Sequence, residues 1–190
     1  MLDKGDTMKK FIALLRGINI SGKNKIAMSE LKNVFEQNGY INVITYLNSG
    51  NVIFMSNEIN KNIISKNIHD MIKNNFDIDI PIFIIEENEL KELLDNEPDW
   101  WKIDNKEKYD NIIFIISPCT YETVYNTIGE PKKDLEKIQE YKNNIFWSYD
   151  LNNYRKTNWW SKTITTNVSD KITIRTKRTM KKILELCVER

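Results

Sequence analysis

Histidine, cysteine and long apolar runs are what this chain of 190 residues has little of. A single histidine, His69, excludes most zinc sites and most enzymes that work through a histidine base. Two cysteines, Cys119 and Cys187, are too few for a disulfide scaffold and fit a reducing cytoplasm. The longest unbroken apolar run is about five residues, as in Phe11–Leu15, far short of the roughly 20 that a membrane-spanning helix needs. The opening Met1-Leu2-Asp3-Lys4-Gly5-Asp6 carries acids where a signal peptide has a basic and then an apolar stretch. A cytoplasmic location with no membrane partner is therefore expected.

What is present points to a folded core. Hydrophobic residues make up 41% and charged residues 29%, a balance that fits neither disorder nor a fibre. The net charge of +1 conceals a pattern. Residues 1–25 carry six Lys or Arg against two Asp, a net of +4, and residues 26–100 come to −8. Residues 101–150 come to −2 and residues 151–190 to +7. Both ends of the chain are basic, so an anionic partner would be met there.

Periodicity gives the element order. Lys9–Arg16 reads as a buried strand stopped by Gly17, and a polar loop runs to Lys25. Ser29 is the expected N-cap of a helix with Leu31, Val34 and Phe35 inward and Gly39 as its stop. Asn42–Leu47 and Val52–Met55 are strands about an Asn48-Ser49-Gly50 turn. An amphipathic helix from Glu58 to Phe76 presents Ile59, Ile63, Ile64, Ile68, Met71 and Ile72, and Pro81–Ile85 is the next strand. This β-α-β-β-α-β order is the ferredoxin-like plan.

A short acidic helix, Glu87–Asn96, leads to a break at Pro98-Asp99-Trp100-Trp101. Beyond it come a strand at Asn111–Ile116, a helix capped by Thr120, and a hairpin of Leu135–Tyr141 with Ile145–Tyr149 about Asn143-Asn144. A helix near Asn158–Val168, a strand at Ile172–Ile174 and a last helix with Met180, Ile183, Leu184 and Cys187 on one face complete the chain. The order repeats the first. The expectation is an α+β protein of two ferredoxin-like halves with mostly antiparallel sheets. The halves are an N-terminal subdomain over residues 8–97 and a C-terminal one over 98–190, with residues 1–7 a disordered lead or an upstream start.

The loop Gly17-Ile18-Asn19-Ile20-Ser21-Gly22-Lys23-Asn24 reads G-x-x-x-x-G-K between a strand and a helix. In a phosphate loop the glycines let backbone N–H groups close around the anion, and the lysine adds a point charge. A nucleotide triphosphatase is disfavoured on three grounds. Asn24 lacks the hydroxyl that would hold magnesium, the helix starts several residues late, and the sheet is not the parallel one that carries P-loops. Ser49 and Asn51 would bring a hydroxyl and an amide to this loop if the two turns share one end of the sheet. The alternative is a plain hairpin turn that needs Gly50 at positive φ.

Two stretches carry a family resemblance. They are Arg16-Gly17-Ile18-Asn19 with Gly22-Lys23-Asn24-Lys25, and Tyr46-Leu47-Asn48-Ser49-Gly50-Asn51-Val52-Ile53-Phe54. The chain resembles the bacterial domain-of-unknown-function family 1697, whose pattern runs Arg-Gly-Ile-Asn-Val-Gly-Gly-Lys-Asn and later Asn-Ser-Gly-Asn-Val. The match is specific over residues 8–56. The resemblance implies a small cytoplasmic α+β protein with two ferredoxin-like parts and implies no activity. Near the C-terminus the family runs Thr-x-Arg-Asn-Trp-Asn-Thr. Here Arg175 and Thr179 match, but Thr176-Lys177-Arg178 replaces the Asn-Trp-Asn core, exchanging stacking and amide chemistry for cationic contacts.

The sequence thus suggests non-covalent binding of an anionic, phosphate-bearing ligand. Arg16, Gly17, Asn19, Gly22, Lys23, Asn24 and Lys25 would form the loop, joined by Ser49 and Asn51, with Arg175 and Thr179 as a second contact. The partner would be a phosphorylated small molecule or a nucleic acid. The alternative is single-stranded nucleic acid held by Arg155, Lys156, Trp159, Trp160, Lys162, Lys177, Arg178, Lys181 and Lys182, with rings stacking on bases and cations on phosphates. Adjacent tryptophans on a helix point about 100° apart, so one of the pair is expected in the core. Lys177, Arg178, Lys181 and Lys182 are expected on a solvated helix face. No constellation of side chains calls for a cofactor, a metal or acid–base catalysis.

Overall fold

The protein is described here by a computed structural model covering residues 8–188, so the expected lead at residues 1–7 lies outside the described part. Strand β1 (Lys9–Leu15) is followed by α1 (Met28–Gln37), β2 (Ile41–Tyr46), β3 (Asn51–Ser56), α2 (Lys61–Phe76) and β4 (Ile82–Glu86). Helices α3 (Glu87–Asp95) and α4 (Asp99–Lys102) come next. Then the order repeats: β5 (Lys108–Ile115), α5 (Tyr121–Ile128), β6 (Glu136–Tyr141), β7 (Asn144–Asp150), α6 (Asn158–Thr165), β8 (Ile172–Thr176) and α7 (Lys177–Val188).

The two sheets have one topology, β2-β3-β1-β4 and β6-β7-β5-β8, and every neighbouring pair is antiparallel. The α+β class with two β-α-β-β-α-β halves is therefore present. Residues group into two compact units, 8–90 with 183–188, and Lys91–Lys182, so the division passes through α3 and α7. The Pro98-Asp99 break instead opens the short α4. No helix is long and apolar enough to cross a membrane among the described residues.

In the first unit, β1 is the inner strand between β3 and β4, with Ala13 opposite Val52 and Ile84. Phe11 to Leu15 are all fully buried, so both faces of the strand are covered, which is why the stretch reads as one apolar run rather than an alternation. Helix α2 begins at Lys61, not Glu58, because Asn60 accepts from the amides of Asn62 and Ile63 and caps it there. Its inward face is Ile64, Ile68, Met71 and Ile72, whereas Ile59 and Ile63 are exposed at 62% and 44%. Helix α1 starts behind Ala27 with no side-chain cap, so Ser29 sits in the first turn instead of capping it. Phe54 closes this core against Phe35 and Tyr40, ring centroids 5.6 and 4.7 Å away.

The second unit packs α5 and α6 on the Ile113, Ile145, Trp147 and Ile172 face of its sheet. The β6–β7 turn is Lys142-Asn143, one residue earlier than expected, with both φ values positive as a tight two-residue hairpin requires. Several buried polar contacts of this unit converge on Glu136, 5% exposed at the start of β6. Its Oε1 accepts from the Lys132 and Asn158 amides at 2.9 and 2.6 Å, and its Oε2 from the Trp159 amide and Trp147 Nε1 at 3.2 and 3.3 Å. The carboxylate thereby serves the open amides at the start of α6 and favours the positive end of its dipole. Glu136→Gln keeps the shape but turns an NH2 toward N–H donors. It is expected to lower stability by about 1–3 kcal/mol in urea unfolding followed by tryptophan fluorescence.

Candidate functional site

The end of the first sheet where β1 finishes collects three connections. Because β1 runs antiparallel to both neighbours, its exit lies beside the entry of β3 and the entry of β4. The Leu15 amide donates to the Gly50 carbonyl at 2.8 Å, and the Arg16 amide to the Pro81 carbonyl at 3.2 Å. The two turns that carry the recognised motifs are therefore neighbours.

The Gly17–Lys25 loop is a small β-hairpin. Ile20 and Lys23 form an antiparallel bridge, and Ser21 and Gly22 between them have φ of 49° and 78°, a two-residue turn. The Asn19 amide donates to the Asn24 carbonyl at 3.1 Å and the Lys23 amide to the Ile20 carbonyl at 2.9 Å. These two amides are engaged within the loop and are not open to an anion. Positive φ at Asn19, Ser21, Gly22 and Asn24 lets the chain fold back on itself as a hairpin.

Asn19 ties this hairpin to the next turn. Its Nδ2 donates to the carbonyls of Ile26 and Asn48, both at 2.9 Å, and its Oδ1 accepts from the Ile26 amide at 2.9 Å. Asn24 Nδ2 donates to the Gly17 carbonyl at 3.0 Å. Buried Asn51 donates to the Tyr46 carbonyl and to Ser49 Oγ, at 2.8 and 3.0 Å, closing the β2–β3 turn. Gly50 lies so close to β1 that a Cβ would stand 2.7 Å from Leu15 Cβ and 2.8 Å from Ile18 Cδ1. Gly17, Asn19, Gly22, Asn24, Gly50 and Asn51 thus build the frame. Lys23 and Lys25 are exposed on it, and neither enters an ion pair among the described residues. Arg16, half-buried, stands at its base.

Arg175 and Thr179 are buried in the second unit's own framework. Arg175 donates to Thr173 Oγ1 at 2.8 Å and to the Ile174 carbonyl at 2.9 Å, and burial pushes its guanidinium down to about 10. Thr179 shares a hydroxyl contact of 2.9 Å with Thr176, which also accepts the Thr179 amide at the start of α7. Lys177 departs from expectation. It is 9% exposed, its ammonium donates to the Trp101 carbonyl, lies 3.1 Å from Asp104, and sits 5.0 Å from the Trp101 ring centroid. Lys181 pairs with Glu97 at 3.0 Å, and Lys162 Nζ donates to the Ile128 carbonyl at 2.6 Å. Trp159 is fully buried, while Trp160 packs on Tyr154 at 4.7 Å.

Two further polar clusters lie outside the expected site residues. Glu136 is in phase with half-buried Ile138 and out of phase with exposed Lys137, an alternation that marks an inward-facing acid. His69 sits between Asp70 and Asp79, which no spacing rule joins. No group of three or more His, Cys, Asp or Glu side chains could hold a metal ion among the described residues.

Fold and site together define a two-sheet α+β protein that carries a hydrogen-bonded basic hairpin at the end of its first sheet. The chain belongs to the family described as Protein of unknown function (DUF1697), which matches residues 8–146. A solved structure similar to it is that of the conserved bacterial protein SP0830 from Streptococcus pneumoniae. The TM-score is 0.82 at 26% identity, over 94% of this chain and 98% of that one. No curated protein matches the chain.

Gly50→Ala combines a steric conflict with a φ of +75° and is expected to cost about 2–4 kcal/mol. Gly39→Ala, at φ +86° with open space around it, should cost only about 1 kcal/mol. Denaturant unfolding of the two variants side by side separates the packing effect from the backbone effect.

Proposed function

We propose that the protein binds an anionic, phosphate-bearing ligand non-covalently at the Gly17–Lys25 hairpin, with Lys23 and Lys25 as the cationic contacts and Arg16 at the base. The observation that carries this reading is the meeting of the two motif stretches in one braced hairpin whose lysines enter no ion pair among the described residues. A frame held by Asn19 and Gly50 fixes the backbone that carries those lysines, which lowers part of the ordering cost of binding. Recognition then comes from side-chain charge and the Asn48-Ser49 turn rather than from a ring of backbone amides. Arg175 and Thr179 are engaged in the framework of the second unit and are not needed for this reading.

Single-stranded nucleic acid bound by the C-terminal segment is less well supported. Stacking needs an open ring, and Trp159 is fully buried. Of the seven cations that would hold phosphates, Lys162, Lys177 and Lys181 are already bonded to carbonyls or carboxylates, while Arg155, Lys156 and Arg178 are exposed.

The test is a thermal-shift screen with a nucleotide, a sugar phosphate and a short single-stranded RNA at two salt concentrations. A ligand at a hundred times its dissociation constant adds about 2.7 kcal/mol, a shift of a few degrees for a chain of this size. Lys23→Ala is expected to leave stability within about 0.5 kcal/mol and to abolish the ligand-dependent shift. Full retention of the shift in that variant would overturn the assignment. A shift with RNA alone that persists in Lys23→Ala and vanishes on Arg155→Ala would move it to the C-terminal segment.

A further inference from the structure

The chain's one histidine lies on α2, and both ring nitrogens face carboxylates. Nε2 is 2.9 Å from Asp79 Oδ1 and Nδ1 is 3.2 Å from Asp70 Oδ1. A neutral imidazole has one N–H and one lone pair, whereas an ionised carboxylate only accepts. Both contacts are hydrogen bonds only when the ring carries both protons.

The carboxylates are themselves held ionised. Lys73 lies 2.7 Å from Asp79 Oδ2 and Lys66 lies 2.8 Å from Asp70 Oδ2. Hydrogen bonds from Lys73, and then from His69, bring Asp79 down to about 2, and those from Lys66 and His69 lower Asp70. Neither acid takes up a proton near neutrality to replace the one the ring loses. Asp77, at the end of α2, adds a further negative charge near Lys73. These five groups are the charged surroundings of the ring.

The geometry of the connection gives this cluster a mechanical role. Asp77, at φ +55°, ends α2, and the following Ile78-Asp79-Ile80 alternates so that the isoleucines are buried and Asp79 faces out. His69 and Lys73, one helical turn apart, reach it from the same face of α2. Two residues later the Pro81 carbonyl accepts the Arg16 amide.

We propose that His69 is a pH-sensitive latch that ties helix α2 to the Asp77–Pro81 connection when protonated and loosens it when neutral. On deprotonation one ring nitrogen loses its N–H: when Nε2 loses it, Lys73 alone holds Asp79, and when Nδ1 loses it, the remaining bond to Asp79 loses its charge assistance. The inference stands apart from the anion-binding reading.

The sign follows from linkage. The hydrogen bond to Asp79, with that to Asp70 and both charges, raises the ring above the ordinary histidine value of 6.5 against the opposing effect of burial. A group raised in the folded state stabilises fully below its unfolded value, and the contribution disappears as pH rises through the folded value.

The test uses the full-length protein at low ionic strength, because the side chains are partly exposed and salt screens them. Proton NMR of the single imidazole from about pH 5 to about pH 9 reads the titration without assignment ambiguity. Wild type is expected to titrate above 6.5, and Asp79→Asn and Asp70→Asn each to move it downward. In parallel, the Tm advantage of wild type over His69→Gln should be largest below 6.5 and vanish as pH rises through the measured value. Titration at or below 6.5, an unchanged value in Asp79→Asn, or a pH-independent Tm difference between wild type and His69→Gln would each overturn the latch.

Discussion

The absence of a side chain at Gly50 is the constraint on which the candidate site depends. Its backbone sits against the Leu15 and Ile18 side chains at a separation that no Cβ fits, and its carbonyl takes the Leu15 amide at 2.8 Å. This close approach joins the β2–β3 turn to the exit of β1. Asn19 then fastens the hairpin across the same junction by donating to the Asn48 carbonyl. Without it, Lys23 and Lys25 would be two exposed lysines on a polar loop. With it they stand on a braced frame.

Most of the residues that identify the family thus have architectural roles. Gly17, Asn19, Gly22, Asn24, Gly50 and Asn51 set the conformation of two turns and supply their hydrogen bonds. A side-chain amide can donate twice and accept once or more, so an asparagine replaces several backbone partners in a loop that no sheet can serve. The second unit repeats the topology but solves the same problem differently. There a buried carboxylate, Glu136, gathers three amides and an indole N–H where β6 meets the start of α6.

Charge in the sequence and charge available for binding differ for the same reason. The basic C-terminal stretch looks like a cationic surface when counted by residue. In the fold Lys177 is held by the Trp101 carbonyl, the Trp101 ring and Asp104, and Lys181 by Glu97. A desolvated ammonium must have such partners, since burying it alone would be prohibitive. Lys177 is therefore a cation fixed in place inside the second unit.

The sequence alone determined the class and order of the elements, because burial on one or both faces of a strand or helix leaves a periodic imprint. Phe11–Leu15 as a buried strand, Ile64, Ile68 and Ile72 as a helix face, and Thr120 as a cap all follow from local rules. The two β-α-β-β-α-β runs followed in turn. Only the tertiary structure decided which loops meet and which charges stay free. Gly17–Lys25 reads equally well as a phosphate loop or a hairpin until the bridge between Ile20 and Lys23 is seen. Asn19 with Asn48, His69 with Asp79, and Glu136 with Trp159 are 29, 10 and 23 positions apart. Contacts of that kind are set by which turns, strand ends and helix ends the fold brings together, and neither periodicity nor composition records them.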